Sequence, residues 1–560
     1  MSSPTPAPLS APDALAGPST ARARWELLGI TLACLGMAWG ACLPVLRLDG
    51  WPNNHEGLSI FERAEGFRRA FAAGDFFPLW TPFCFNGHGS PWPFFYHRLF
   101  TTVSGGLAWM LGSTYHGVRL SLVAVLFLGT TGTAAAARRL GASGLIQVFA
   151  AFLLCSAPYT FFDWLVRGAA AEFCAMMLYP WLLWACARLL SDGRGGVATG
   201  FIFVLLFYAH TVMFLYALPT FLIALGFMLA RRGWRSALIT AVQAALPVLV
   251  LCAPYAALLL RLEKDFNMAA LGIFTPEREF LPLGRYLWDT EFHWGLQWER
   301  TTPALGPALL VSLGLLTAVA LASRGARPGG WNAALGFLVL CALPYALLQA
   351  SFTAPFYRGV PLANLIQFPW RLVGFLITLL VLMWSMLVQE PLRRGGWRRG
   401  LALAAVGLPT CAGLGFCWTA THPRYEVASR AFIEQHLAQL DRPWSTYEYL
   451  PRSVIRVGLA PPMPFLFQQG CARMTTEPAQ LQQPVHFKHI TLVVSSDQGC
   501  DVYFNQFQTP FLAAESSGPA RFFTTQVGTL GIHVPPGEQR IELRRRGFLE
   551  LLARTFWRAG

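Results

Sequence analysis

Charge is scarce in this chain: of 560 residues only 13% are charged, and Lys264 and Lys488 are its sole lysines. A soluble globular protein carries about 25% charged residues, so a water-soluble enzyme is excluded first. No G-x-G-x-x-G or P-loop pattern occurs, which argues against a nucleotide-binding domain. The 12 cysteines are scattered, with no CxxC pair and no Cys/His spacing suited to zinc. Basic residues outnumber acidic ones, 43 to 29, for a formal net charge of +14. The arginines nevertheless sit in short clusters between apolar runs rather than on one face or tail, so nucleic acid is not the expected partner.

What the chain has in abundance is apolar sequence, 54% of residues with a mean hydropathy of +0.44. A helix needs roughly 20 apolar residues to cross a bilayer. About eleven stretches qualify or nearly do: 26-46, 116-137, 142-158, 169-190, 197-209, 212-230, 237-260, 303-323, 330-349, 367-389 and 400-419. The expectation is therefore an α-helical polytopic membrane protein with about eleven transmembrane helices. Residues 1-21, rich in Pro, Ser and Ala, read as a disordered cytoplasmic tail, and the first span as an uncleaved signal anchor.

Orientation follows from basic residues in short loops. With the amino terminus inside, Arg22 and Arg24, Arg138 and Arg139, Arg194, Arg231, Arg232 and Arg235, Arg324 and Arg327, and Arg393 to Arg399 all fall on the cytoplasmic side. That register requires the apolar piece 98-112 not to cross, which makes 47-115 one long outer loop within a transmembrane module of 22-420. Residues 56-73 in that loop carry helically spaced apolar positions and predict an amphipathic helix. Asn86-Gly87-His88-Gly89, among dense aromatics, reads equally as pocket wall or aromatic belt.

From 421 to 545 the chain becomes more polar, with alternating runs such as His486 to Val494, Cys500 to Phe504 and Gly531 to Val534. Period two predicts strands, hence a β-rich periplasmic domain. Cys471 and Cys500 both fall there, where oxidation is permitted, and pairing between them is open. Residues 546-560 read as an amphipathic terminal segment on the membrane surface or as a solvated helix.

Ionisable residues are rare inside spans unless paired or functional. Here they collect at the outer ends: Asp49, His55 and Glu56 after the first span, Asp163, Arg167 and Glu172 at the fourth, His210 between the fifth and sixth, and Arg371 at the tenth. Charges at helix ends often serve only as anchors. Carboxylates, arginines and histidines together on one face suggest chemistry.

The motifs GDFFPLW (74-80), NGHGSPWPFFYHRLF (86-100), DWLVRGAAAEF (163-173) with Pro180 downstream, IQFPWR (366-371) and TYEYLP (446-451) together resemble a bacterial membrane family labelled 6-pyruvoyl-tetrahydropterin synthase-related, and more distantly YfhO-like membrane proteins. The resemblance covers most of 26-455 and implies a layout similar to GT-C glycosyltransferases, which use a polyprenyl-phosphate-linked sugar at the outer face of the bacterial inner membrane. Membrane lipids, the carrier-linked sugar and a glycan or lipid acceptor are then the implied partners.

Such a transfer needs a carboxylate to deprotonate the acceptor hydroxyl and cations to hold the departing phosphate. Glu56, by its place in the first outer loop, is the leading base, Asp49 the second, and His55 a neighbour that could assist. The His-Glu pair departs from the usual Asp-containing motif, so the base and any divalent cation stay open. Arg371, with Gln367 in the same QFPWR motif, is the first choice for the phosphate, Arg167 the second and His210 the weakest. Asp163, Glu172, Trp370, Glu448 and Tyr449 are supporting candidates; Glu448 and Tyr449 would link the outer domain to the site. Competing readings are a transporter or flippase for lipid-linked glycans and a non-catalytic envelope scaffold. The absence of a clear internal repeat and the one-sided polar residues weigh against transport.

Overall fold

In a computed structural model, the described residues are 20–268, 275–287, 304–322, 329–394, 396–421, 427–439, 449–455, 461, 463–478 and 486–557. The expected tail over 1–19, Arg324, Arg327 and Glu448 lie outside them. The chain is a polytopic membrane protein with a β-rich C-terminal part. Its internal contacts divide it into two units, residues 1–57, 121–250 and 274–428 in one and 58–120, 251–273 and 429–560 in the other.

The count of eleven spans is corrected. Among the described residues five helices are long and apolar enough to cross a membrane: Thr114–Arg139, Ala170–Asp192, Thr211–Leu251, Pro369–Arg394 and Gly396–Ala420. Two bent pairs, Gly144–Cys155 with Pro158–Val166 (50°) and Ala333–Leu347 with Ser351–Gly359 (83°), raise the number to at most seven. The reasons are local. The runs read as 212-230 and 237-260 join through Thr211–Leu251, whose backbone breaks at Gly233 with φ 79°. Gly196–Ala209 and Pro307–Ala322 have 14 and 16 residues, and Thr20–Ala41 opens with Arg22, Arg24 and Glu26. Hydropathy reports how apolar a run is, but not where its helix stops.

In the first unit, β1 (Gly50–Pro52) and β2 (Val427–Ser429) form a small sheet. Helix Gly144–Cys155 ends before Pro158, whose missing N–H suits the start of a new helix rather than the middle of an old one. That new helix loosens into a π-turn over Phe162–Val166. Such turns insert an extra residue and are frequent at functional sites. Helix Ala170–Asp192 follows, its first turn carrying Glu172.

In the second unit, helix Ser59–Ala72 falls on the stretch expected to be amphipathic and buries Phe61, Ala64, Phe67 and Phe71. Glu65 on the same helix accepts from Arg68 (2.6 Å), Arg69 (2.7 Å) and Thr114 (2.5 Å). Helix Leu99–Leu111 has 13 residues, short of a crossing.

The C-terminal strands are β3 (Leu466–Gln469), β4 (Arg473–Glu477), β5 (His489–Ser496), β6 (Cys500–Phe507), β7 (Leu512–Ser516), β8 (Arg521–Thr524), β9 (Thr529–Val534) and β10 (Gly537–Arg545). They form two antiparallel sheets, ordered β4-β5-β10-β7 and β3-β6-β9-β8. Alternate residues face inward: Ile490, Leu492 and Val494, Val502 and Phe504, Ile532 and Val534, and Ile541 and Leu543 make one core. The pairing Ile541↔Leu492 fixes the register, since a one-residue slip would turn the apolar set outward. Cys471 and Cys500 are joined by a disulfide across 29 residues.

The Asn86-Gly87-His88-Gly89 segment packs on β6. The Gln506 amide donates to the carbonyls of Pro82 (3.2 Å) and Gly87 (2.5 Å), and the His88 ring stacks on Phe507 at 5.3 Å. Gly89, at φ 87°, lies against the Trp80 ring where no side chain would fit. This segment is thus a structural joint within its unit.

Candidate functional site

The π-turn sets the site. By widening one helical turn it lets Asp163, Arg167 and Glu172 meet across the break between two helices. Arg167 Nη1 lies 2.6 Å from Asp163 Oδ1 and 2.9 Å from Glu172 Oε1. Arg371 Nε approaches Glu172 Oε2 at 3.0 Å, close as an ion pair though not aligned as a hydrogen bond. Tyr159 donates its hydroxyl to Glu172 Oε1 at 2.9 Å. Two carboxylates and two guanidinium groups therefore sit together in an otherwise apolar wall.

Burial makes this assembly costly to disturb. Side-chain exposure is 0% for Asp163, 4% for Arg167, 2% for Glu172 and 11% for Arg371. Charges so buried persist only when paired. Asp163 Oδ2 and Arg167 Nε have no hydrogen-bond partner, so polar capacity remains at the centre of the cluster. Arg371 is the most exposed of the four.

Aromatic faces complete the wall. Arg167 lies 4.6 Å over the Trp370 ring and Arg371 4.8 Å over Phe368, contacts that stabilise a desolvated guanidinium. Arg371 Nη1 also donates to the Ile366 carbonyl (2.9 Å) and to Gln367 Oε1 (3.4 Å). Gln367 itself has φ 61°, a left-handed conformation rare for a residue with a side chain and often found where function fixes the backbone.

The start of the long loop docks on the same turn. His55 N–H donates to the Val166 carbonyl at 3.2 Å and Glu56 N–H to the Arg167 carbonyl at 3.1 Å. Gly168, at φ 69°, makes room for Asn54: a Cβ there would lie 2.7 to 2.9 Å from the Asn54 side chain. Asn54 in turn accepts from Gly57 N–H at 3.0 Å.

Of the residues singled out from sequence, the structure brings Asp163, Arg167, Glu172, Gln367, Trp370 and Arg371 into one cluster and anchors His55 and Glu56 beside it by their backbones. Asp49 is exposed just ahead of β1. His210 caps the end of Gly196–Ala209, where its Nδ1 accepts from Met213 N–H at 3.4 Å. Tyr449 belongs to the other unit and stacks on Phe95 at 6.4 Å. Sequence reasoning missed Tyr159 and Asn54. Pro158 beside Tyr159, and Gly168 after Arg167, were the available signals of a break and a close approach.

Among the described residues no group of three or more His, Cys, Asp or Glu side chains is arranged to hold a metal ion. A cavity of about 630 Å³ lies elsewhere in this unit, lined by Leu27, Arg138, Trp184 and Arg188 among others, and none of the cluster residues borders it.

No known family model matches the chain, and no curated protein matches it. Among solved structures it is similar to the arabinofuranosyltransferase AftD from Mycobacteria, at 16% identity and a TM-score of 0.47 over 72% of this chain and 27% of that one. The oligosaccharyltransferase of Archaeoglobus fulgidus gives 12% and 0.47, over 78% of this chain and 62% of that one. ArnT from Cupriavidus metallidurans bound to undecaprenyl phosphate gives 14% and 0.42, over 73% and 79%. The chain spans about a quarter of the length of AftD. Likenesses at this level assign no residue roles. They give no link to a pyruvoyl-tetrahydropterin synthase.

Proposed function

We propose that the chain is a GT-C-like membrane glycosyltransferase of the bacterial inner membrane. In this reading it takes a sugar from a polyprenyl-phosphate donor and attaches it, at the outer face, to a cell-envelope glycan or lipid. The observation that carries the reading is the buried cluster of Asp163, Arg167, Glu172 and Arg371, with the Glu56 backbone fastened to the same turn. A stack of apolar spans has no packing need for four charges. A site that must hold a phosphate next to a carboxylate base does.

In the proposed reaction Glu56 takes the proton of the acceptor hydroxyl, whose oxygen attacks the anomeric carbon as the bond from that carbon to the phosphate oxygen breaks. Polyprenyl phosphate leaves, its charge met by Arg371, with Arg167 held behind by its own carboxylates. Asp49 is the reserve base, His55 a neighbour able to tune or assist Glu56, and His210 a lesser contributor to donor binding. In this reading the amino terminus lies in the cytoplasm and the β-rich part in the periplasm.

The test is mass spectrometry of envelope glycans and lipids from wild-type cells, a deletion strain, and a strain carrying Glu56→Gln at equal membrane level. Loss of one sugar-bearing species in both altered strains supports the transferase and its base. Full restoration by Glu56→Gln removes Glu56 from that role. A second reading, transport of a lipid-linked glycan, draws on the two bent helix pairs, since broken helices are common in transporters. Transport would leave the sugar made but stranded on the inner leaflet.

A further inference from the structure

The second unit holds a cavity of about 180 Å³ where β10 runs into the last helix, Phe548–Phe556. Its walls carry three permanent cations, Lys488, Arg545 and Arg546, and one carboxylate, Asp75. Asp75 is already engaged, with its Oδ2 3.1 Å from His486 Nε2. The hydrogen bonds of the cations run to neutral acceptors. Lys488 Nζ donates to the Gly74 carbonyl at 2.5 Å, Arg546 Nη1 to the Pro510 carbonyl at 2.7 Å, and Arg545 to Gln506.

Arg545 is the unusual member. Its guanidinium lies between two rings, 4.7 Å from Trp80 and 4.5 Å from Phe487. No carboxylate among the described residues pairs with it, and its Nη1, sealed from solvent, has no hydrogen-bond partner. Arg546 Nε makes no hydrogen bond, and its counter-charge is Glu550, whose Oε1 lies 3.5 Å away. Burial pushes the Arg545 pKa down, the direction expected of a cation without a counter-charge. Arginine stays protonated even so, which leaves unpaired N–H donors and excess positive charge around a small aromatic-walled space.

We propose that this cavity binds a phosphate ester, whose oxygens accept from Arg545 Nη1 and Arg546 Nε while Lys488 supplies the third charge at the mouth. Trp80 and Phe511, both buried in the wall, give the alcohol part of the ester an apolar face. The ester can come from a soluble sugar or polyol phosphate or from a phospholipid headgroup. The site lies outside the proposed transfer chemistry, and its readout is binding, so either idea can fail without the other.

The experiment is calorimetric titration of the full-length protein in phosphatidylcholine nanodiscs with glycerol 3-phosphate, and with glycerol as the neutral control. Saturable binding of the phosphate alone is expected. Arg546→Gln and Lys488→Gln should each weaken it by about tenfold, the loss of one charge-assisted hydrogen bond. Lys488→Arg should hold within about threefold, and Arg540→Gln, on β10 but outside the cavity, should change nothing. Lys488 is exposed, so its variants keep the fold even if an Arg546 variant does not. If phosphatidylglycerol in the nanodiscs weakens apparent affinity by about threefold or more, the site takes a lipid headgroup; if affinity is unchanged, it takes a soluble ester. No saturable binding in phosphatidylcholine, equal binding of glycerol, or undiminished affinity in Lys488→Gln overturns the proposal.

Discussion

Tyr159 donates its hydroxyl to the same Glu172 oxygen that Arg167 reaches, each at 2.9 Å. Glu172 is therefore the member on which three other side chains converge, Arg371 being the third. Glu172→Gln leaves two buried arginines short of a charge and is expected to cost about 4 kcal/mol, whereas Tyr159→Phe removes one hydrogen bond to a charged group and costs about 2 kcal/mol. Unfolding by sodium dodecyl sulfate in mixed micelles measures both. Equal losses would mean that the charges are not mutually compensating.

Gly168→Ala introduces a Cβ against Asn54 at a backbone angle suited to glycine. A loss of about 1–3 kcal/mol is expected. Asn54→Ala in the same chain relieves the collision but not the backbone strain, so the double variant should be less destabilised than the two single losses added together. Additive losses in a double-mutant cycle would show that the contact is not felt.

Acid should loosen helix Ser59–Ala72. Burial alone would raise the Glu65 pKa, but hydrogen bonds from Arg68, Thr114 and Arg69 outweigh it and hold the carboxyl below its ordinary value. A carboxyl with its pKa depressed by folding contributes stability that is fully present above the unfolded value, about 4.3, and lost as pH falls through the folded one. Melting temperature followed downward from pH 6 should therefore decline more steeply for wild type than for Glu65→Gln. Parallel curves would remove Glu65 as the cause.

The Cys471–Cys500 bond joins cysteines 29 positions apart in the sequence. By chain entropy its loss destabilises the β-rich part by about 3 to 4 kcal/mol. In intact cells both thiols should resist a maleimide until a reductant is added, while Cys471→Ser should expose Cys500 to labelling once the domain is unfolded. Labelling of wild type without reductant would place these cysteines in a reducing compartment.

The strands were legible in sequence because alternation reports directly which side chains face a core, as the run from His489 through Val494 does in β5. Span number was not, because Pro158, Gly233 and the turn after Leu347 bend or break helices inside stretches whose composition stays apolar. Three of the four charged members, Asp163, Arg167 and Glu172, were visible by their local spacing. The meeting of Glu172 with Arg371, and the docking of Asn54 on Gly168, join segments far apart in the chain. Such pairings depend on tertiary geometry, and no local pattern encodes them.

The two backbone hydrogen bonds from residues 55 and 56 end on the carbonyls of residues 166 and 167. In the proposed enzyme, any ligand that draws Arg167 from Asp163 also moves the acceptors from which Glu56 hangs. Occupancy at the arginines and the position of the base then share one free energy, and linkage makes the influence equal in both directions. Whatever acceptor settles Glu56 must change the grip on the donor by the same factor by which the donor changes the acceptor's.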